Sequence, residues 1–231
     1  MFKNAGWIFL AATLVSCGVP RPRAAAHQDG GELSRSPGLA RAAAYRIDTA
    51  ASELRVLVYR SGPMARFGHN HVMVNRSLAG TAQWAGAEGA ASFSLVVPAA
   101  GFVVDDTQVR HDEGADFPGE ISEDAKAGTL RNMLSAALLD ASEFPDITVE
   151  GTRMAGDDDK LAANLVIHIA GHESTLEVPL TLQMEHGRLS AAGSLELRQT
   201  SLGLTPFSLM MGALQVQDVV RLKFKIVAVA G

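Results

Sequence analysis

The sequence predicts an all-β domain of mainly antiparallel strands, either a sandwich or a closed barrel, with about eight strands and one short helical insertion. Three observations predict it. From Tyr45 onward apolar residues recur at every second position, the period of a strand with one buried face. Gly, Asp, Asn or Pro separates the runs, and their apolar positions are β-branched residues or Leu. A single segment has helical spacing, so the strand–helix alternation of a parallel sheet is missing.

The elements follow in order. Glu53 to Arg60 (ELRVLVYR) sets Leu54, Val56 and Val58 against Arg55, Leu57 and Tyr59. Residues 91–98 (ASFSLVVP) put Phe93, Leu95 and Val97 on one face, with Ser92 and Ser94 opposite. The segments DITVEGTRM, KLAANLVIHIAG, STLEVPLTLQME, RLSAAGSLELRQTSL and VVRLKFKIVAVA continue the pattern. Glu185-His186-Gly187-Arg188 reads as a two-residue hairpin turn in which Gly supplies positive φ. GDDDK at 156–160 reads as another hairpin turn, because its consecutive Asp residues lack calcium-loop spacing. Between the strands, Ile121, Ala125, Leu130, Met133, Leu134, Ala137 and Leu138 lie close to helical spacing. Ser122 is the N-cap there, Pro145 closes the unit, and Gly128 leaves one helix or two shorter ones open.

Upstream of the domain the chain changes character. Residues 1–16 carry Lys3 and then an apolar run, Trp7 to Val15, too short to span a bilayer as a helix. Leu14-Val15-Ser16-Cys17 resembles the bacterial lipobox, whose Cys is lipidated and becomes the first residue of the mature protein. Cys17 is the single Cys of 231 residues, so no internal disulfide can form. An ordinary secretory signal and an uncleaved anchor are the alternatives. Residues 17–43, rich in Pro, Gly, Ala and Ser, read as a flexible tether that includes His27, and residues 44–231 as the domain. The lipobox resemblance implies an exported protein anchored to a bacterial membrane with its domain in the periplasm. Gly18, where an Asp would signal inner-membrane retention, favours the outer membrane.

Charge divides at the same place. The whole chain carries −5, whereas residues 44–231 hold 15 basic against 23 acidic residues, a net of −8. A domain that acidic, without a basic cluster, is a poor match for nucleic acid or an anionic surface.

Three stretches together carry a family resemblance. YRIDTAASELRVLVYR, LLDASEFPDITVEGTRM and LVIHIAGHESTLEVPLTLQ, with Gly171 and Pro179, occur in the order and spacing of the YceI-like family of periplasmic and secreted bacterial proteins, which the domain resembles over about Tyr45 to Val229. The resemblance implies an eight-stranded, lipocalin-like β-barrel with a short helical insertion. It also implies that the lumen takes an isoprenoid-type ligand, a polyprenyl lipid or a quinone, with no catalytic residues. RFGHNH, DDTQVRHDEGADFPGE and TPFSLMMGALQVQDVV depart from the plainer members, which bears on the headgroup more than on the fold.

The candidate site residues come from those departures. His69 and His71 leave the same face of a strand. They form a polar rim that meets a ligand headgroup, a divalent transition-metal site with His111 as third ligand, or simple packing at a strand entry; imidazole suits all three. Asp105, Asp106, Asp112, Glu113, Asp116 and Glu120 supply a carboxylate if their stretch folds over the same rim. Phe207, Met210 and Met211 are an adaptable apolar cluster that lines a lumen or fills the core. His168 and His172 read as structural. No nucleophile or phosphate loop stands in a recognisable setting, so the expected function is binding. A metal-binding or redox-accessory protein is the alternative, with an enzyme acting on a substrate in the barrel behind it.

Overall fold

The computed structural model describes residues 42–86, 91–157 and 160–231. The expected signal peptide, Cys17 and most of the tether lie outside the described residues, as do Asp158 and Asp159 of the expected GDDDK turn.

The chain winds up and down around one ring. Its strands are β1 (Ala43–Ile47), β2 (Glu53–Val58), β3 (Arg60–Ser61), β4 (His71–Asn75), β5 (Ala79–Trp84), β6 (Ala91–Pro98) and β7 (Phe102–Val104). Two helices, α1 (Thr107–Glu113) and α2 (Glu123–Leu134), precede β8 (Asp146–Asp157). Then come β9 (Lys160–Ile169), β10 (His172–Glu185), β11 (Arg188–Arg198), β12 (Ser208–Leu209), β13 (Leu214–Val216) and β14 (Val219–Ala230). Closure rests on β1, which pairs antiparallel with β5 on one side and with β14 on the other, Tyr45 opposite Ala230. That second pairing decides for a barrel over a sandwich.

The ring has eight strand positions because three of them are interrupted. β1 and β2 both run along β14, β4 and β5 form the next wall, and β6 and β7 the third. The interruptions lie side by side and are stitched together. Thr49 Oγ1 donates to Leu78 O (2.8 Å), and buried Asn75 donates from Nδ2 to Pro98 O (2.8 Å) while accepting from Ser77 N. Buried Ser52 accepts from Val227 N and donates to Asp48 O. The strands bend here without leaving polar groups bare, since every buried side-chain nitrogen and oxygen among the described residues has a partner.

The two ends of the barrel differ. At one end the connections are short: Glu185 pairs with Arg188 across His186 and Gly187, both at positive φ, as the sequence indicates. The opposite end carries all the elaborate connections: residues 59–70, the α1–α2 segment, and residues 199–218 with β12 and β13. β3, β13 and β12 pair into a small second sheet over this end.

The helical insertion is larger than the sequence suggests. α2 is one continuous helix despite Gly128, capped by Ser122 Oγ, which accepts from Ala125 N. α1 falls in the acidic stretch, where the sequence pattern marks no helix; Asp106 caps it by accepting from Val109 N (3.0 Å). It packs on the outside of the wall, where Val109 and Phe117 bury Leu57, Val72 and Val74 in a cluster separate from the main core. Glu113, its carboxylate buried, binds Arg55 and Lys223 and ties α1 to two walls.

Because Leu57 points away from the lumen, the two faces of β2 can be separated by experiment. Leu57→Ala is expected to lower stability by about 2–5 kcal/mol in denaturant unfolding without altering what the lumen binds, whereas Val56→Ala, on the lumen side, should alter binding.

Candidate functional site

The inward faces enclose a cavity of ≈ 400 Å³, inside the usual range of small-molecule pockets, roughly 300–1,000 Å³. Alternation sorts the wall as the sequence indicates: Leu54, Val56 and Val58 of β2 and Phe93, Leu95 and Val97 of β6 line it. The lining is aliphatic and aromatic along the whole barrel. Its polar side chains, Arg60, His69, His71, Thr129, Asn132, Gln199 and Gln215, all belong to the elaborate end.

Two cross-strand pairs shape the wall. Phe93 faces Gly151 across β6 and β8, and Phe224 faces Gly193 across β14 and β11. A Cβ at Gly151 would stand 2.1 Å from the Phe93 ring, and one at Gly193 would stand 2.6 Å from the Phe224 ring. The missing Cβ lets each ring lie back against the neighbouring strand.

His71 opens β4 and shares its inward face with Met73, while Val72 and Val74 go to the outer cluster. Its Nδ1 is 2.6 Å from Asp105 Oδ2. Asp105, wholly buried and at positive φ, also accepts from Val72 N (3.0 Å) and from Arg110 Nη1 (2.6 Å). Arg110 is equally buried and donates further to Asn70 O and Pro118 O. Burial pushes the Asp105 carboxyl up, but hydrogen bonds from His71 and Val72 N, the charge of His71 and the bond from Arg110 outweigh it and hold the group below the usual carboxylate range. A carboxylate on Nδ1 keeps a proton there and leaves Nε2 as the free ring nitrogen: an acceptor in neutral imidazole, a donor in the cation.

His69 stands beside it, the two rings edge to face with centroids 6.2 Å apart. The strand entry is clamped from both sides. Asn70 Oδ1 accepts from Arg60 N (3.0 Å), its Nδ2 donates to Asp116 O (2.8 Å), and Arg60 Nη1 donates to Gly68 O.

Several expected residues fall elsewhere. His111 is exposed on α1 and does not line the cavity, so the three-histidine arrangement is not assembled. Among the described residues no group of three or more His, Cys, Asp or Glu side chains is placed to hold a metal ion. Phe207 lines the cavity, but Met210 and Met211 do not; both adopt positive φ, which turns them into solvent. His168 and His172 lie on the outer surface at the β9–β10 turn. The sequence reading missed Arg60, Gln215 and Asn132 on the lining and Arg110 behind His71. Only Arg110 left a trace, as the basic residue one helical turn past an Asp-Asp-Thr start.

With this geometry in hand, the relatives can be compared. The model of the YceI-like domain matches residues 45–228. The chain belongs to the YceI-like family. Among solved structures, BcnA of Burkholderia cenocepacia superposes with a TM-score of 0.58 at 16% identity, covering 78% of this chain and 98% of that one. A polyisoprenoid binding domain from Saccharophagus degradans, implicated in plant cell wall breakdown, superposes with a TM-score of 0.54 at 15% identity, covering 82% and 99%. At such identities the likeness is one of fold. No curated protein sequence matches. Among the described residues no helix is long and apolar enough to cross a membrane.

Two outcomes are expected here. Asp105→Ala leaves Arg110 buried without its counter-charge and should cost about 3–5 kcal/mol in chemical unfolding. The depressed folded pKa of Asp105 makes its stabilisation full above the unfolded value of about 3.9 and lost as pH falls through the folded value. Asp105→Asn should therefore flatten the acid limb of the stability–pH curve relative to the parent.

Proposed function

We propose that this YceI-like chain is a binding protein whose barrel carries or stores an amphiphile with an isoprenoid-type tail, a polyprenyl lipid or a quinone. The observation that supports it is the division of the cavity: an apolar lumen with every polar lining side chain at one end. A polyprenyl tail needs such a wall, because each buried CH₂ contributes about 0.8 kcal/mol and each unpartnered polar group would cost about 1–3 kcal/mol. The head of the molecule then meets Arg60, His69 and His71. Asp105 accepts from His71 Nδ1, which leaves Nε2–H of the charged ring to donate to a quinone carbonyl or phosphate oxygen. The polyisoprenoid named for the Saccharophagus degradans domain is consistent with the same tail chemistry.

The remaining parts of this reading concern residues 1–43. Cys17 is lipidated, residues 17–43 tether the barrel to a bacterial membrane, by preference the outer one, and the domain faces the periplasm. Such placement suits a protein that loads from and unloads into a bilayer. Cys17→Ser is expected to abolish incorporation of labelled palmitate and to release the protein from the membrane fraction; unchanged membrane retention would favour an uncleaved anchor.

Native mass spectrometry of the Cys17→Ser chain tests the ligand. A co-purified adduct of polyprenyl or quinone mass supports the proposal, and a lumen that stays empty when offered both overturns it. His71→Ala should retain the ligand at reduced affinity, about 10- to 100-fold weaker for a phosphate head and under about tenfold for a quinone carbonyl. A stoichiometric metal-mass adduct lost in the same variant would transfer the site to metal binding. Gly151→Ala, which drives Phe93 into the lumen, should weaken binding of the longest tails most.

A further inference from the structure

We propose that α2 is the gate of the barrel: ligand enters and leaves between α2 and the cap formed by β3, β12 and β13, and Gly128 sets how often that port opens. The carrier reading is the premise, and the gate adds to it the route and the control of exchange.

The lining locates the mouth. Of the described residues around the cavity, only Arg60, His69 and Asn132 are also exposed to solvent. Arg60 begins β3 and His69 stands in the segment that leads into β4, whereas Asn132 comes from the second half of α2. The passage from solvent to lumen therefore runs between the helix and the cap. Thr129, Asn132 and Met133 share one face of α2, at the i, i+3, i+4 spacing, and that face lies over the cavity. Leu138 and Leu139, just past the helix, extend the cover.

The two lips of the mouth are built differently. The cap is held by directional bonds: β13 pairs with β3 and β12, Met64 N donates to Ala213 O (2.8 Å), and Gln217 N donates to Tyr59 O (2.8 Å). The other helix, α1, is pinned through Arg110 to Asp105 and through Glu113 to Arg55 and Lys223. α2 has no such tie. Among the described residues its side-chain hydrogen bonds stay within its own segment: Lys126 donates to Glu123, Ser122 Oγ accepts from Ala125 N, and Ser135 Oγ donates to Asn132 O. What seats it is apolar. Met133 and Leu139 are buried in the main core, with Leu130, Leu134 and Leu138 packed against it. Contacts of that kind are non-directional, so α2 can lift without breaking an ion pair or a hydrogen bond to the wall.

Gly128 makes the same helix easy to melt. It stands midway along the 12 residues of α2. Neither packing nor backbone requires a glycine there: a Cβ would meet only Arg131 Nη2, at an ordinary 3.8 Å, and the residue is not at positive φ. Gly151 and Gly193 differ, since a ring fills the space where their Cβ would stand. Gly128 thus weakens the helix with no steric return, and a helix this short is marginal without tertiary support. In a gate the weakness is useful, because it sets the fraction of time that the mouth is uncovered.

The test follows an apolar fluorescent probe, N-phenyl-1-naphthylamine, into and out of the full chain carrying Cys17→Ser by stopped flow. Gly128→Ala firms the helix, and Ala127→Gly, at the exposed neighbouring position, loosens it; neither position lines the cavity. Gly128→Ala should slow both entry and exit about two- to fivefold, and Ala127→Gly should speed both by a like factor. A gate alters how often the port opens and leaves the bound state as it is, so the two rates move together and Kd stays constant. Amide hydrogen exchange over residues 129–134 should shift by the same factor in each variant. Probe rates that stay put in both variants while amide exchange shifts overturn the proposal. So does a change in Kd without matched changes in both rates, which would make α2 a wall of the site and not its door. A parent chain that takes up neither the probe nor a polyprenol removes the carrier reading and the gate with it; insensitive rates with binding intact remove the gate alone.

Discussion

Closure of the sheet is the constraint on which everything else depends. Five residues of β1 hold β5 by one edge and β14 by the other, and without them the ring would open into two edges and the lumen into a groove. A closed ring of eight strands leaves an interior too wide for its wall residues to fill completely when rings lie back and side chains are aliphatic. The cavity is thus a product of closure more than of any one residue in its wall.

The polarity of the barrel ends follows from how the chain is connected. Hairpin turns need few residues and leave no room for chemistry, whereas the long connections all leave from one end and can bring distant residues together. His71 and Asp105 are 34 positions apart in sequence and meet because β4 pairs with β7. Arg110 then arrives on α1, whose own position is fixed by the outer cluster around Leu57 and Val72. An apolar patch on the outside of the wall in this way holds a polar group on the inside.

Much of this was legible in the sequence where the physics is local. The alternation in ELRVLVYR and ASFSLVVP gave the inward faces correctly, and the His186-Gly187 turn is set by two residues. The barrel itself was not legible from period two alone, because closure depends on the register between β1 and the far end of β14; the family resemblance carried it. α1 was overlooked because only Val109 and Phe117 of its stretch are apolar enough to mark a buried face, and the acidic residues around them resemble a solvated loop. Met210 and Met211 read from the sequence as lumen lining or core filling, both of which point them inward. Backbone conformation, φ at 51° and 55°, decides otherwise, and no residue type announces it.

The Gly151–Phe93 and Gly193–Phe224 pairs give the wall an adjustable gauge. Each ring is a movable panel whose recess exists because the opposite strand lacks one methyl group. Substitution at the glycine narrows the bore from behind, without altering any side chain that a ligand would touch. A lineage of such barrels can therefore shift its preference between slender and stout ligands by single changes in residues that look purely structural. Under the proposed function, selectivity for cross-section and recognition of the polar head would sit on separate parts of the molecule and be free to change independently.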